Sequence, residues 1–239
     1  METIALFKSP PPPQEAGIYR ALTRLPRLPL AQRSNFWALT ANSYEPLWRG
    51  RSLYLLTAGS YSTARELALM LEWLQPQPGQ AVLDAACSTG LYSRTLLGRV
   101  PDLSVHALDM SLPMLKEAQR RAEAAGLSPT LVQADVTELP YADAVFDAVV
   151  CGGSLNEFLD VPTALAEFSR VLKAGGKLFL MYLSRAETRG GRGLQGLVRL
   201  SGLRFIDPRA LDRQAAEAEL GLLRAQYRGR VALALFAAG

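Results

Sequence analysis

The run Val82-Leu83-Asp84-Ala85-Ala86-Cys87-Ser88-Thr89-Gly90-Leu91-Tyr92-Ser93 constrains the fold more than any other stretch of the chain. Ala81-Val82-Leu83 is short and apolar, as a strand buried on both faces must be. Ala85, Ala86, Ser88 and Gly90 are small enough to let backbone approach a ligand closely. A helix starting after Gly90 presents free N–H groups. Asp84 then lies at the carboxyl end of a strand, where open α/β sheets bind ligands. Taken alone, the run also fits an ordinary strand-to-helix turn with a solvated Asp.

The sequel narrows the choice. Ser104-Val105-His106-Ala107-Leu108-Asp109 reads as a second strand ending in an acid, 19 residues after Gly90. An acid there can accept hydrogen bonds from both hydroxyls of a ribose. Ser111 is an N-cap, and Leu115, Ala118, Ala122 and Ala125 share one helical face that Gly126 ends. A third strand, residues 129–134, leads to Asp135, and a fourth, Val145–Cys151, runs into Gly152-Gly153. Asp160 caps a helix with Leu165, Phe168 and Leu172 inward, which Gly175-Gly176 is expected to close. A fifth strand covers Lys177–Leu183. Strict alternation of strand and helix predicts a parallel sheet covered on both faces.

With those residues in order, the chain resembles the class I S-adenosylmethionine-dependent methyltransferases, in the small-molecule branch that includes quinone-ring methyltransferases. The family's Asp-x-Gly-x-Gly-x-Gly motif maps onto Asp84, Ala86, Ser88 and Gly90. Its ribose acid maps onto Asp109, within Asp109-Met110-Ser111 and on to Met114. Its adenine-side acid maps onto Asp135, followed by Val136. Arg170–Gly176 matches the helix-to-strand pattern that follows. The resemblance implies an α/β, Rossmann-like doubly wound fold: a mostly parallel seven-stranded sheet with a C-terminal antiparallel hairpin, in a single domain. It implies S-adenosylmethionine as cofactor, held by Asp84, Ala86, Cys87, Ser88, Gly90, Asp109, Met110, Met114, Asp135, Val136 and Cys151. Ala86 and Ser88 stand where the family has glycine, so the turn must hold a Cβ near the methionine part of the cofactor. Tyr44 and Trp48 are expected in the substrate pocket. By the same analogy Asn156 and Glu157 face substrate, with Glu157 the one candidate for a base. His106 sits mid-strand, facing away from Asp109, and reads as a core histidine.

A nicotinamide dehydrogenase is the nearest rival. Its turn needs three glycines to seat a pyrophosphate on a helix N-terminus. Here only Gly90 is glycine, and Asp84 would repel phosphate, whereas it suits a cationic sulfonium.

Outside the core, charge is divided. Residues 61–184 carry a net charge of −5, while residues 1–60 and 185–213 carry +4 each. Basic flanks suit an anionic substrate, a lipid surface or nucleic acid. Arg outnumbers Lys 22 to 4, a bias that would decorate any surface with Arg. The expected organisation is a basic, aromatic N-terminal arm and cap (1–60), a cofactor-binding core (61–184), a lid insertion (185–213), and the last helix end with a β-hairpin (214–239). Pro10–Pro13, Pro26 and Pro29 predict an irregular start, residues 43–56 a helix, and Thr63-x-x-Glu66 a capping box. Leu194, Leu197, Val198 and Leu200 form a short amphipathic segment that could touch a membrane transiently. The last helix is expected over Asp207–Leu220 with Ala215, Ala216 and Leu220 inward, then strands Leu222–Tyr227 and Val231–Ala237. Two cysteines and one histidine give no metal-ligand spacing, and the two thiols are expected to be reduced and to line the cleft. No apolar stretch is long enough to span a membrane and no secretory signal is visible, so a cytoplasmic protein is expected.

The reading is a methyltransferase with a small, aromatic or isoprenoid-like acceptor. The alternatives are a nucleic-acid methyltransferase and a non-catalytic cofactor-binding protein. Nucleic acid is not favoured: Cys151-Gly152-Gly153-Ser154 stands where a base-amino methyltransferase has its Asn/Asp-Pro-Pro-aromatic motif, and no RNA-binding module is attached.

Overall fold

A computed structural model describes residues 3–23, 61–186, 188, 195–196 and 203–239. The expected helix over 43–56, Tyr44, Trp48, and Leu194, Leu197, Val198 and Leu200 lie outside the described residues.

Five parallel strands form the centre: β3 (Ala81–Ala85), β4 (Ser104–Asp109), β5 (Thr130–Gln133), β6 (Phe146–Gly152) and β7 (Leu172–Leu183). With the N-terminal β1 (Gln14–Glu15) and β2 (Ile18–Arg20), and the C-terminal β8 (Leu220–Arg228) and β9 (Val231–Ala238), the sheet has nine strands among the described residues. Their spatial order is β1-β2-β5-β4-β3-β6-β7-β9-β8. β9 pairs antiparallel with β7 and with β8, giving the expected hairpin. The order reverses at β3, with β4 on one side and β6 on the other. Ligand crevices in such sheets lie outside the carboxyl ends of the strands at that reversal.

Helices α1 (Thr63–Leu74), α2 (Leu91–Leu97), α3 (Leu112–Ala124), α4 (Val161–Val171) and α5 (Pro208–Glu217) cover the two faces. Leu69, Met70 and Trp73 of α1 pack with Leu96 of α2 over Val82, Val105, Phe179 and Leu233. Leu165 and Phe168 of α4 and Leu211 and Ala215 of α5 pack the other side with Leu83, Val149 and Leu180. Asp160 and Asp207 cap α4 and α5 by accepting from the Thr163 and Arg209 amides.

Several local expectations change. Residues 14–20 form an ordered hairpin that extends the expected seven strands to nine. Ala16 and Gly17 both take positive φ (49° and 80°), the geometry of a two-residue hairpin turn. β2 then adds parallel to β5, and Ile18 is buried. Ser62, not Thr63, caps α1: its Oγ accepts from the Arg65 amide at 3.2 Å. Glu66 is fully buried instead of closing a capping box. Gly175-Gly176 do not end α4. That helix stops at Val171 because β7 begins at Leu172, and the two glycines lie in a bulge opposite Asp147. A Cβ on Gly176 would lie 2.8 Å from the Lys173 carbonyl oxygen, so the bulge needs glycine there. Ala125 and Ala216 are exposed, since Ala125 is past the last turn of α3 and Ala216 is on the outer side of α5.

Candidate functional site

The β3–α2 turn takes three left-handed residues at alternating positions: Ala86 (φ 54°), Ser88 (φ 51°) and Gly90 (φ 75°). These are the three positions the motif assigns to glycine, so the turn keeps its glycine-type backbone with two side chains in place. Each non-glycine residue held there costs about 1–2 kcal/mol. Gly90 is needed for space as well, because its Cβ would lie 3.1 Å from Ala118 Cβ of α3.

Asp109, at the end of β4, ties this turn to the next helix. Its Oδ2 accepts from the Ser88 amide at 2.8 Å and its Oδ1 from the Ser111 amide at 2.8 Å. Each carboxylate oxygen has a second lone pair, and the residue is partly exposed. Burial pushes the Asp109 pKa up, and the amides of Ser111, Ser88 and Met110 pull against that. The Ser88 N–H, which a dinucleotide turn would aim at phosphate, is thus directed at a carboxylate.

Asp84 behaves differently from its two fellow acids. It is 2% exposed, and its Oδ2 accepts from both the amide (2.9 Å) and hydroxyl (2.6 Å) of Ser93. It pins the first turn of α2 to the end of β3 and acts outward through its charge. Asp135 is partly exposed, and its Oδ1 accepts from the Thr137 amide and hydroxyl at 2.9 and 2.8 Å. Met110 is partly exposed beside Asp109, and its carbonyl accepts from Gln133 Nε2. Met114 and Val136 are buried. The Met114 Sδ accepts from Ser88 Oγ at 3.5 Å, a weak bond to a poor acceptor.

The two cysteines are free thiols. Burial, then the charges of Asp84 and Asp109, push Cys87 well above the usual thiol range. Cys151 is fully buried and pushed up to about 12, burial again the largest cause. Its side chain belongs to the apolar core, so only its backbone can serve a cleft. Across the crevice, Ser154 Oγ donates to the Ala86 carbonyl at 3.1 Å, joining the turn after β6 to the turn after β3.

Residues 83–180 match a family model described as a methyltransferase domain. Over that stretch the chain is similar to methyltransferase domains. Over 118 residues it is 38% identical to the ubiquinone/menaquinone biosynthesis C-methyltransferase UbiE of Paracoccus denitrificans, covering 48% of this chain and 47% of that one. The 2-phytyl-1,4-naphtoquinone methyltransferase of Trichormus variabilis is 32% identical over 143 residues, 59% of this chain and 62% of that one. The chain thus spans about half the length of the first of these relatives. Among solved structures, the geranyl diphosphate C-methyltransferase of Streptomyces coelicolor superposes with a TM-score of 0.66 at 13% identity, covering 74% of this chain and 76% of that one, a likeness of fold.

On this methyltransferase frame two expected substrate residues part company. Asn156, in the 3-10 turn Leu155–Glu157, is fully buried and does not face a substrate. Its Nδ2 donates to the carbonyls of Leu183 (2.8 Å) and Arg204 (2.5 Å), and its Oδ1 accepts from the Leu183 amide at 2.7 Å. It clamps the end of β7 to the segment returning at 203–206. Glu157, one residue on, is partly exposed. His106 is fully buried, with its Nδ1 3.2 Å from the Tyr141 hydroxyl and rings of Phe7, Tyr141 and Phe146 around it. Burial lowers its pKa to about 4. Among the described residues no group of three or more His, Cys, Asp or Glu could hold a metal ion. No described helix is long and apolar enough to cross a membrane.

The site also has a part that no sequence motif announced. The Tyr92 hydroxyl, on the first turn of α2, donates to Glu66 Oε1 of α1, and both side chains are buried. The signal available was the unusual Glu66 on an otherwise apolar helix face.

Proposed function

We propose that this chain binds S-adenosylmethionine at the carboxyl edge of β3, β4 and β5 and passes its methyl group to a small aromatic or isoprenoid-like acceptor. Asp109 carries the reading: backbone amides, those of Ser88 and Ser111 among them, fix its partly exposed carboxylate at the tip of β4, where it can accept from ribose hydroxyls. The residues present suit such a nucleoside and not a pyrophosphate, since the turn's Ser88 amide is committed to an acid. Asp135, with Oδ1 engaged by Thr137, offers Oδ2 to an adenine amino group. Ala86 and Ser88 line the methionine side. The bound cofactor supplies an electrophilic methyl on a cationic sulfur. The chain's task is then to hold an acceptor in line with it, and such positioning supplies much of the rate.

The relatives support the acceptor class: those described act, by their names, on ubiquinone, menaquinone and phytyl-naphthoquinone precursors. The geranyl diphosphate enzyme, solved with S-adenosyl-L-homocysteine, supports the cofactor. Glu157 is the candidate base where an acceptor must lose a proton, because Asn156 is fully engaged elsewhere.

The test is transfer of labelled methyl from S-adenosylmethionine into a fractionated extract. Label is expected in the lipid or small-molecule pool. Label confined to RNA or protein would overturn the acceptor class.

A further inference from the structure

A cavity of about 690 Å³ opens beyond the carboxyl end of β7, between the first turns of α4 and α5. That volume falls within the roughly 300–1,000 Å³ typical of small-molecule sites. Backbone bonds tie down its floor: the Ile206 amide donates to the Leu183 carbonyl at 3.0 Å, and the Arg185 amide to the Ile206 carbonyl at 2.7 Å. Asn156 bonds the same two segments together. Gln195 fixes a further wall. Its Oε1 accepts from the Ala186 amide at 2.7 Å, and its Nε2 donates to the Ser184 carbonyl at 3.1 Å. The wall on the α4 side begins at Leu159, two residues after Glu157, the candidate base.

The lining is of two kinds. Val161, Ile206, Ala210 and Leu211 offer hydrocarbon. Arg185 and Arg204 also line the cavity, and both are exposed. Arg204 Nη1 donates to the Leu159 carbonyl at 3.0 Å. Arg185 Nη1 is 3.9 Å from Asp207 Oδ2, too far for a hydrogen bond. A guanidinium has five N–H donors, so most of those on these two side chains are open to a ligand. Arg230 Nη1 donates to the Arg185 carbonyl at 3.2 Å, which brings a third guanidinium beside Arg185. Asp160 and Asp207 line the cavity too, but each serves its own helix. Asp160 accepts from the Thr163 amide and hydroxyl, and Asp207 Oδ1 from the Arg209 amide. The positive end of each helix offsets the charge of its capping acid. The guanidiniums have no such offset.

We propose that this chamber binds an amphiphile, with its hydrocarbon on Val161, Ile206 and Leu211 and an oxyanion, carboxylate or phosphate, held by Arg204 and Arg185. Guanidinium forks suit such groups because they can donate two parallel bonds to them. The inference rests on the acceptor reading above and deepens it, since it makes the acceptor an anionic, lipid-like molecule.

Calorimetric binding of geranyl phosphate and of geraniol to the full chain, with no cofactor present, tests this. The two probes share a hydrocarbon and differ in the oxyanion. The wild type is expected to bind geranyl phosphate at least about ten-fold more tightly, the scale of one charge-assisted hydrogen bond. Arg204→Gln should weaken geranyl phosphate about ten-fold and leave geraniol within about two-fold. Arg204→Lys keeps the charge and should stay within about three-fold of wild type for both. Ala210→Phe fills the chamber and should weaken both probes. Thermal unfolding shows which variants are folded; if Arg204→Gln is not, Arg185→Gln makes the same comparison with an expected loss of about three-fold. The proposal is overturned if the wild type binds neither probe or both alike, if the Gln variant lowers both together, or if Ala210→Phe changes neither. The acceptor reading fails separately: geranyl phosphate bound as expected, with no labelled methyl reaching the lipid or small-molecule pool, would confirm the anion site and refute its use for an acceptor.

Discussion

Asp109 has two roles that separate under mutation. Its carboxylate fixes the Ser88 and Ser111 amides, and in the proposed complex it also accepts from the ribose. Charge-assisted hydrogen bonds contribute about 1.5–3 kcal/mol each. Asp109→Ala should therefore weaken S-adenosylhomocysteine binding by ten-fold or more, read by calorimetry on a variant shown to be folded. Unchanged affinity would mean the ribose is held elsewhere. At Ala86 the backbone itself is testable. Its φ of 54° is one that L-residues adopt at a cost, so Ala86→Gly should raise unfolding free energy by roughly 0.5–1 kcal/mol after the added chain entropy is counted. Denaturant melts check this; a destabilised variant would show that the turn is not strained. The three acids and the small-residue turn were legible because their spacing follows the strand ends. The engagement of Asp84 by Ser93 was not, since a hydroxyl nine residues away in sequence looks like any surface serine until α2 folds back onto β3.

Helices and strands were readable where one period dominated. β3, β4 and β6 announced themselves as apolar runs, and α3 by its Ser111 cap and its buried Leu115 and Ala118. Two kinds of element were not readable. β7 begins directly after α4, and the glycines that look like a helix stop instead relieve a bulge against Asp147. The hairpin β1–β2 has strands of two and three residues, too short to show alternation, and the prolines before it suggest irregular chain. Asn156 shows the same limit at the end of β7. Its side chain reads as a polar group beside a substrate, but it satisfies three backbone groups on two separate segments. Asn156→Ala should cost about 2–4 kcal/mol, because buried backbone donors and acceptors are left unpaired. Chemical denaturation measures it. A change under about 0.5 kcal/mol would show that water replaces the clamp.

At the scale of the whole molecule, the N-terminal arm meets the sheet in an aromatic cluster as well as through the pairing of β2 with β5. Phe7 stacks on Tyr141 with centroids 5.0 Å apart and contacts Tyr19 and His106. That cluster makes folding sensitive to acid. His106 has a pKa lowered to about 4 from 6.5, so the unfolded chain binds a proton there before the folded chain does. Its contribution is fully present above pH 6.5 and is lost as pH falls toward 4. Between pH 7 and pH 4 the loss should be about 3 kcal/mol, and His106→Phe should remove that part of the pH dependence. Identical pH profiles for the two proteins would refute the assignment. Charge segregation between core and flanks was plain in the sequence. What the flanks bind was not, because side-chain charge names no partner until geometry gathers it.

The central claim is that acids at the tips of neighbouring strands hold a phosphate-free nucleoside. A crystal structure of the full chain with S-adenosylhomocysteine tests it most directly. The account predicts both ribose hydroxyls on the Asp109 carboxylate, with adenine beside Asp135 and Val136. A nucleoside bound away from Asp109, with that carboxylate still engaged only by Ser88 and Ser111, would contradict it.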